Sequence, residues 1–254
     1  MAVTAVVFDV GNVLYRWSPR ALYERLIPED RALDAFLATV VTTDWHFQHD
    51  EGRDFADTSA ELIARFPEHR DLILAWAAHF NETITGPVEG MIELVEELDS
   101  AGVPIFGITN FSHEFWPPFR AQEAHVFDRF RDIVVSGDEK LAKPDPAIFH
   151  LARARFGLAP GEGVFLDDRA DNAAAAEATG FIGHHFTDAE TARRHLAAAT
   201  LGAVIRTISQ PTSAKAMDCW TVAATSWVSL VVIDWIRSGL LPPMPIPPTL
   251  TGWV

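Results

Sequence analysis

The stretch Val6-Val7-Phe8-Asp9-Val10-Gly11-Asn12 largely determines which fold this chain can adopt. Residues 2–8 form an apolar run rich in β-branched side chains, which predicts a strand buried on both faces. Asp9 ends this run, and the glycine and asparagine that follow expose backbone N–H groups beside its carboxylate. A loop of this kind can bind phosphate oxygens. Alone it is a weak signal, because an ordinary turn at the end of a strand has a similar composition.

Further apolar runs predict strands that alternate with helices. Strands are predicted at 103–108, 133–135, 164–166 and 181–186, and amphipathic helices at 90–100, 146–156 and 173–179. This alternation predicts an α/β fold with a Rossmann-like, mainly parallel sheet. Right-handed crossovers place the carboxyl ends of all its strands on one edge, where such sheets bind ligands.

Residues with catalytic chemistry follow the predicted strands. They are Asp9, Thr109, Ser136 and the adjacent pair Asp167-Asp168, and the segment Lys143-Pro144-Asp145-Pro146 adds a lysine. We expect these groups to converge at one edge of the sheet. Two unit charges about 4 Å apart repel by about 4 kcal/mol at an effective dielectric constant of about 20, so a phosphate that faces Asp9 requires nearby cations. Lys143 can supply one cation, and Mg²⁺ bound by Asp9 and Asp168 can supply another.

The segment Leu166-Asp167-Asp168-Arg169-Ala170-Asp171-Asn172 is typical of a loop that binds a divalent cation. Adjacent carboxylates repel each other unless a cation or solvent relieves the repulsion. The alternative is a helix N-cap followed by an acidic first turn. Thr109 and Asn110 offer a hydroxyl and an N–H group to a phosphate, although by themselves they indicate only a turn.

The region 18–86 interrupts the alternation of strands and helices. Helices are predicted at 19–26, 28–41, 55–66 and 70–83, with no strand-like run between them. We interpret 18–86 as an α-helical cap domain inserted into a core domain formed by 1–17 and 87–202. The alternative is a helical bundle that packs elsewhere on the protein.

Composition limits the class of protein and its partners. The chain has 254 residues, a formal net charge of −15 and no long run of Lys or Arg, which argues against a nucleic-acid partner. A single cysteine, Cys219, excludes an internal disulfide and suits a reducing compartment. The N-terminal segment lacks the basic region of a signal peptide. We therefore predict a cytoplasmic protein.

The C-terminal segment 203–254 differs from the rest in composition, being rich in Trp and Pro. Its uncharged run at 219–233 is shorter than the roughly 20 residues that span a bilayer. A helix that docks on the body or on a partner is our first interpretation. A non-native extension is the second, and a membrane contact is the least favoured.

The segments above resemble motifs one to four of the haloacid dehalogenase (HAD) superfamily over about residues 3–200. The resemblance is strongest to phosphatases with a small helical cap and an Asp-x-Gly-Asn-Val first motif, such as sugar-phosphate phosphatases. The segments Ser136-Gly137-Asp138, Leu141-Ala142-Lys143-Pro144-Asp145-Pro146-Ala147-Ile148-Phe149 and Asp167-Asp168-Arg169-Ala170-Asp171-Asn172 carry it. The resemblance implies that Asp9 is the nucleophile, that Lys143 is a catalytic residue, and that phosphate is bound by Gly11, Asn12, Thr109, Asn110 and Lys143. It also implies that Mg²⁺ is held by Asp9, Asp168 and the carbonyl of Gly11, with Asp167 in support.

One departure from this family pattern concerns Gly11. Most phosphatases of the superfamily carry at this position a second Asp that serves as general acid and base, a role worth about 10²–10⁴-fold in rate. Either the leaving group needs little protonation, as in sugar 1-phosphates and acyl phosphates, or another residue donates the proton. The candidate donors are His46, His49, Asp50 and His113. We predict that Gly11→Asp raises turnover of substrates with poor leaving groups, unless the acid already comes from elsewhere.

Three functions agree with these motifs. The first is Mg²⁺-dependent hydrolysis of a small phosphorylated metabolite through an aspartyl-phosphate. The second is a 2-haloacid dehalogenase without a metal, against which the pair Asp167-Asp168 argues. The third is a HAD-fold binding protein without turnover. Aromatic residues that could line a substrate pocket, with core packing as the alternative, are Trp45, Phe47, Phe115 and Trp116. The substrate and the oligomeric state cannot be derived from the sequence.

Overall fold

A parallel sheet lies at the centre of residues 2–199, the part of the chain that the computed structural model describes. The described strands are β1 (Ala5–Phe8), β2 (Tyr15–Trp17), β3 (Ile84–Pro87), β4 (Ile105–Thr109), β5 (Asp132–Val135), β6 (Gly163–Asp167) and β7 (Ile182–His185). The sheet has the order β5-β4-β1-β6-β7, and every neighbouring pair in it is parallel. The predicted α/β fold with a Rossmann-like parallel sheet is confirmed.

Helices connect the strands of this sheet. The described helices are α1 (Pro19–Tyr23), α2 (Asp30–Thr39), α3 (Thr43–Asp50), α4 (Phe55–Arg65), α5 (Arg70–Ala78), α6 (Met91–Ser100), α7 (Trp116–Gln122), α8 (Ala124–Phe127), α9 (Ser136–Glu139), α10 (Pro146–Phe156), α11 (Ala170–Ala178) and α12 (Ala189–Ala198), with short 3-10 helices at Pro67–His69 and Phe80–Thr83. None of the helices within residues 2–199 is long and apolar enough to cross a membrane.

β1 is central because all of its residues are apolar. Its side chains are fully buried, and it pairs with β4 on one side and β6 on the other. The three strands end at Phe8, Thr109 and Asp167 on the same edge of the sheet. Since parallel strands run in the same direction, the loops that follow them meet at this edge, as the sequence predicts.

α10 begins beside this edge for a local reason. The Asp145 carboxylate accepts a hydrogen bond of 2.8 Å from the backbone N–H of Ala147, which caps the N-terminus of the helix. Gly157, at a φ of 68°, ends the helix in the left-handed conformation that glycine tolerates best. The cap therefore sets where the helix starts and fixes the segment that precedes it, which contains Lys143.

The region between β2 and β3 is helical, as predicted, but its details differ from the prediction. β2 and β3 form an antiparallel pair that was not predicted, and β3 begins inside the segment expected to hold no strand. Both strands are short and partly exposed. β3 also contains Gly86 and Pro87, residue types that are rare in strands, so its sequence does not predict one.

A helix of this region, α3, was also missed. Its N-cap, Thr42, accepts a hydrogen bond from the backbone N–H of Trp45, but its buried positions include His46, His49 and Asp50. With polar side chains on the buried face, the helix has no amphipathic period to detect. The predicted helix at 70–83 is likewise divided into α5 and the 3-10 helix that follows it.

The domain boundaries proposed above remain predictions. All of residues 2–199 lie in one compact unit, and the proposed extension at 203–254 lies outside the described residues. A cluster of aromatic side chains connects the inserted helices to the loop after β4. In it, the rings of Phe80 and Phe115 stack with their centroids 4.5 Å apart.

Candidate active site

The predicted nucleophile and the predicted lysine are in direct contact at the edge of the sheet. Lys143 Nζ lies 2.8 Å from Asp9 Oδ1 and 2.7 Å from Asp167 Oδ2. Lys143 is 2% exposed, so this ion pair is shielded from solvent. Burial disfavours the charged ammonium, but Asp167 and Asp9 outweigh it and raise the pKa of Lys143. The lysine is therefore a cation held beside the Asp9 carboxylate.

Asp167 is the best-satisfied carboxylate of the site. In addition to Lys143, it accepts hydrogen bonds from the Asn172 side chain at 3.0 and 3.1 Å and from the backbone N–H of Arg169 at 2.9 Å. With both oxygens occupied by donors, Asp167 orients its neighbours. The supporting position that the resemblance implies for Asp167 stays a prediction.

Asp168 is oriented from the loop after β1. The Asn12 side chain hydrogen-bonds its carboxylate, and Asn12 Oδ1 accepts from the backbone N–H of Trp17 at 3.1 Å. Asn12 has a φ of 54°, a left-handed conformation that asparagine tolerates better than most residues. Asn12, predicted to bind substrate, thus also links the nucleophile loop to Asp168.

The carboxylates of Asp9, Asp167 and Asp168 form a group suited to a cation. One oxygen from each lies within 4.8 Å of the others. Burial raises the pKa of Asp9 and of Asp168, and the negative charge of Asp167 adds to both shifts. Three carboxylates surround a single buried lysine, so the site carries excess negative charge. Oxygen ligands and excess negative charge are what a bound Mg²⁺ requires, and the residues fit this ion.

The remaining predicted phosphate ligands lie beside these groups. Asn110 and the backbone of Lys143 exchange two hydrogen bonds, of 2.9 Å from the Asn110 amide and 2.8 Å to its oxygen. Thr109 ends β4, and its hydroxyl is buried without a hydrogen-bond partner among the described residues. Gly11 lines the cavity described next, and a Cβ placed on it would contact no atom within 4 Å.

A cavity of about 300 Å³ opens above Asp9. Its lining includes Asp9, Val10, Gly11, Asn12, Asn110, Lys143, Asp168, Arg169 and Asn172 from the loops at the sheet edge. The inserted region and its flanking strands add Tyr15, Trp17, Thr43, His46, Phe47, Asp50, Phe80 and Ile84, and Phe111 and Phe119 complete it. Thr109 and Asp167 lie behind this surface and not on it.

Two of the four predicted proton donors reach the cavity. His46 and Asp50 line it, and His46 Nε2 lies 3.5 Å from Asp50 Oδ2. Burial raises the pKa of Asp50 well above its usual range, and the Asp9 carboxylate adds to the effect. Burial also lowers the pKa of His46 to about 3, so the imidazole is neutral near pH 7. His49 instead contacts Thr58 Oγ1 at 2.7 Å, and His113 faces Asp54 at 3.3 Å.

Of the four aromatic residues proposed as pocket residues, only Phe47 lines the cavity. Trp45, Phe115 and Trp116 are buried in the apolar core, in agreement with the alternative of core packing. The sequence did not indicate that Tyr15 and Trp17 line the cavity. Both lie on β2, directly after the nucleophile loop. The alternation of this short strand, with Arg16 exposed between two more buried aromatic residues, was the available signal.

Comparisons with known proteins agree with this geometry. The chain is 30% identical over 190 residues to sesquiterpene phosphatase astK of Aspergillus oryzae, covering 72% of this chain and 90% of that protein. It is 26% identical over 186 residues to glyceraldehyde 3-phosphate phosphatase of Methanopyrus kandleri, covering 66% and 77% of the two chains.

A HAD family enzyme of Bacteroides thetaiotaomicron has a similar fold, with a TM-score of 0.63, 18% identity and coverage of 77% of this chain and 99% of that one. A second crystal structure of that enzyme, with a TM-score of 0.58 and 17% identity over 74% and 96% of the chains, contains magnesium and inorganic phosphate. Residues 3–180 match the family of haloacid dehalogenase-like hydrolases. Because this match extends over well more than half of its length, the chain belongs to that family of hydrolases.

Proposed function

We propose that this hydrolase cleaves phosphomonoesters of small metabolites through an aspartyl-phosphate on Asp9, with Mg²⁺ as cofactor. The observation that carries the proposal is the cluster formed by Asp9, Lys143 and the adjacent Asp167 and Asp168. The relatives named as phosphatases support it, as does the magnesium and phosphate complex of the structural neighbour. A cytoplasmic location is part of the proposal and is based on the single cysteine.

The proposed reaction has two steps. An oxygen of Asp9 attacks phosphorus, the bond between phosphorus and the alcohol oxygen breaks, and the alcohol oxygen takes up a proton. Water then attacks the phosphorus of the aspartyl-phosphate, which releases inorganic phosphate and restores Asp9. Lys143, 2.8 Å from Asp9, offsets part of the repulsion between the nucleophile and the phosphate oxygens.

Three groups of this chain would hold the metal: Asp9, Asp168 and the backbone carbonyl of Gly11. Asp167 already accepts hydrogen bonds at both oxygens and would act by orienting Lys143. When bound, Mg²⁺ supplies positive charge that polarises the phosphoryl group. Lys143 alone compensates only part of the negative charge of the three carboxylates, so a metal-free reaction fits the site less well.

The proton for the leaving group is assigned to Asp50. Its carboxyl lines the same cavity as Asp9, and its Oδ1 is buried without a hydrogen-bond partner among residues 2–199. Burial raises the pKa of this carboxyl and so favours the protonated form that a general acid requires. Asp50 would thus fill from α3 the role that an Asp at position 11 has in most phosphatases of the superfamily.

The test is hydrolysis of p-nitrophenyl phosphate with and without Mg²⁺. We expect turnover to require the metal and to fall by at least about 10⁴-fold in Asp9→Asn, because the nucleophile is removed. Asp57→Asn, at an exposed position of α4, is the matched control and should retain activity.

Two outcomes would overturn the proposal in different directions. Metal-independent release of halide from a 2-haloacid, abolished by Asp9→Asn, would establish a dehalogenase. Binding of phosphate and Mg²⁺ with no hydrolysis of any phosphate ester or acyl phosphate would establish a binding protein without turnover.

A further inference from the structure

The cavity above Asp9 has two chemically different ends. Its charged and amide-bearing side chains come from the loops at the sheet edge: Asp9, Asn12, Asn110, Lys143, Asp168, Arg169 and Asn172. The inserted region and its flanking strands supply the other side, which we call the cap wall and which consists of Tyr15, Trp17, Thr43, His46, Phe47, Asp50, Phe80 and Ile84. Polar groups that can bind a phosphate are therefore concentrated at one end, and apolar side chains dominate the other.

From this separation we infer that the substrate is a phosphate monoester of an apolar, hydrocarbon-like alcohol. The inference rests on the proposed function, since it takes the phosphate to lie at the sheet edge beside Lys143. The alcohol part would then extend along the cap wall. Small-molecule sites commonly bury the apolar part of a ligand against apolar side chains. A small number of polar groups of the protein then fix the orientation of the ligand.

The apolar side chains of the cap wall come from separate elements that face one space. Trp17 lies on β2, Phe47 on α3 and Ile84 on β3, and all three are only partly buried in the absence of a ligand. Phe80 adds a ring from the 3-10 helix that follows α5. Apolar surface that stays partly accessible inside a cavity gains free energy when a ligand covers it, by about 25 cal/mol per Å².

The polar groups on the cap wall do not favour an anionic alcohol part. His46 is neutral because burial lowers its pKa to about 3, and its ring stacks on Trp17 with centroids 4.8 Å apart. Among the described residues that line the cavity, the cations are Lys143 and Arg169, and both belong to the sheet edge. A carboxylate on the alcohol part would be buried against neutral or acidic groups, which costs several kcal/mol when no cation compensates.

The test is a series of n-alkyl phosphates from ethyl to octyl phosphate, compared with phosphoglycolate and glucose 1-phosphate, in the presence of Mg²⁺. We expect kcat/KM to rise by about two- to fourfold per CH₂ group until the cavity is filled, since each buried CH₂ is worth about 0.8 kcal/mol. Phosphoglycolate and glucose 1-phosphate should be the poorest substrates. A flat series, or a preference for either polar ester, would overturn the inference.

Phe47→Ala sharpens the test because it removes apolar surface from the cap wall without touching the sheet edge. It should reduce the gain per CH₂ group, so that kcat/KM falls more for octyl phosphate than for ethyl phosphate. Phe66→Ala, at a partly buried position after α4 that does not line the cavity, is the matched control. Ile84→Thr, which keeps the β-branched shape, should weaken the chain-length dependence even if Phe47→Ala proves unstable. An unchanged dependence in the folded variants would contradict the inference.

This experiment separates the inference from the function on which it rests. If p-nitrophenyl phosphate and all members of the series remain intact, the proposed phosphatase activity itself is wrong. If p-nitrophenyl phosphate is hydrolysed and the polar esters are preferred over the alkyl phosphates, the phosphatase stands and only the apolar substrate class is wrong.

Discussion

The sheet edge and the cap wall face the same cavity, but the buried lysine of one and the buried histidine of the other are in opposite charge states. At the sheet edge Lys143 lies within 2.8 Å of two carboxylates and is held in its charged form. On the cap wall His46 and Asp50 are separated by 3.5 Å, and burial favours the neutral form of each. Lys143 keeps its charge because two carboxylates lie within hydrogen-bond distance of it, whereas His46 has no such close partner and burial makes it neutral.

This difference divides the work of catalysis between two parts of the chain. The charged groups at the sheet edge suit the phosphoryl group, which is the same in every phosphomonoester. The neutral groups and aromatic rings of the cap wall face the alcohol part, which differs from one substrate to the next. Burial also favours the protonated form of Asp50, which therefore has a proton to give to the leaving group.

The largest effect is expected from Lys143→Met, which breaks the pairing at the sheet edge. Removing the cation leaves Asp9 and Asp167 buried without their partner, and breaking a buried pair in this way costs about 3–5 kcal/mol. The free energy of unfolding, measured by urea denaturation, should fall by that amount. Lys140→Met removes an exposed lysine and is the control.

The pH dependence of this loss provides a second check. Burial already raises the pKa of Asp9, and without the opposing effect of Lys143 it rises further above that of the unfolded chain. Stability is then lost as the pH rises, so Lys143→Met should be more destabilised at alkaline than at acidic pH. A loss below about 1 kcal/mol at all pH values would mean that the ion pair is not needed to keep the sheet edge charged.

The next largest effect is expected from Asp50→Asn, which tests the neutral carboxyl of the cap wall. The amide keeps the shape of the side chain but cannot donate a proton to an alkoxide. Turnover of alkyl phosphates should fall by about 10²-fold, whereas p-nitrophenyl phosphate, whose leaving group needs little protonation, should lose much less. An equal loss on both substrates would show that Asp50 has a structural role and not that of an acid.

Gly11→Asp provides the matched rescue of this variant. Position 11 has room for a Cβ, with no atom within 4 Å, and it faces the same cavity. Combined with Asp50→Asn, it should restore part of the turnover of alkyl phosphates. In the otherwise unchanged enzyme it should add little, because the acid is already present. A large gain in turnover when Gly11→Asp is made in the enzyme that retains Asp50 would show that Asp50 is not the general acid.

The sheet edge could be predicted from the sequence because its signals are local. β1 and β6 are continuous apolar runs that end at an aspartate, so Asp9 and Asp167 are positioned by their own strands. Parallel strands then place Thr109 and Asp168 at the same edge, whatever the rest of the chain does. Lys143 was found from its Lys-Pro-Asp-Pro segment, but its position depends on the two hydrogen bonds between its backbone and Asn110, which follows β4.

The cap wall could not be predicted in the same way. α3 buries His46, His49 and Asp50 in place of apolar residues, so its helical period is not visible in the sequence. Its position opposite Asp9 depends on how the chain between β2 and β3 folds back over the sheet edge. The sequence therefore identified Asp50 as one of four candidate donors but gave no reason to choose it over His49 or His113.

The smallest effect is expected from His49→Phe, which tests whether burial keeps the groups directly behind the cap wall neutral. Burial lowers the pKa of His49 to about 4, and the nearby charges of Arg53 and His113 act in the same direction. The unfolded chain binds this proton near pH 6.5, so stability is present above that pH and is lost as the pH falls toward 4. Between pH 6.5 and about pH 5 the loss should reach about 2 kcal/mol.

In His49→Phe this part of the acid dependence should disappear, because phenylalanine has no proton to bind. Urea denaturation at a series of pH values measures it, with His125→Phe as the control that removes an exposed imidazole. If both variants keep the full acid dependence of the unchanged protein, His49 is not held neutral by its surroundings. The cap would then tolerate charge as the sheet edge does, and the contrast between the two sides of the cavity would rest on aromatic surface alone.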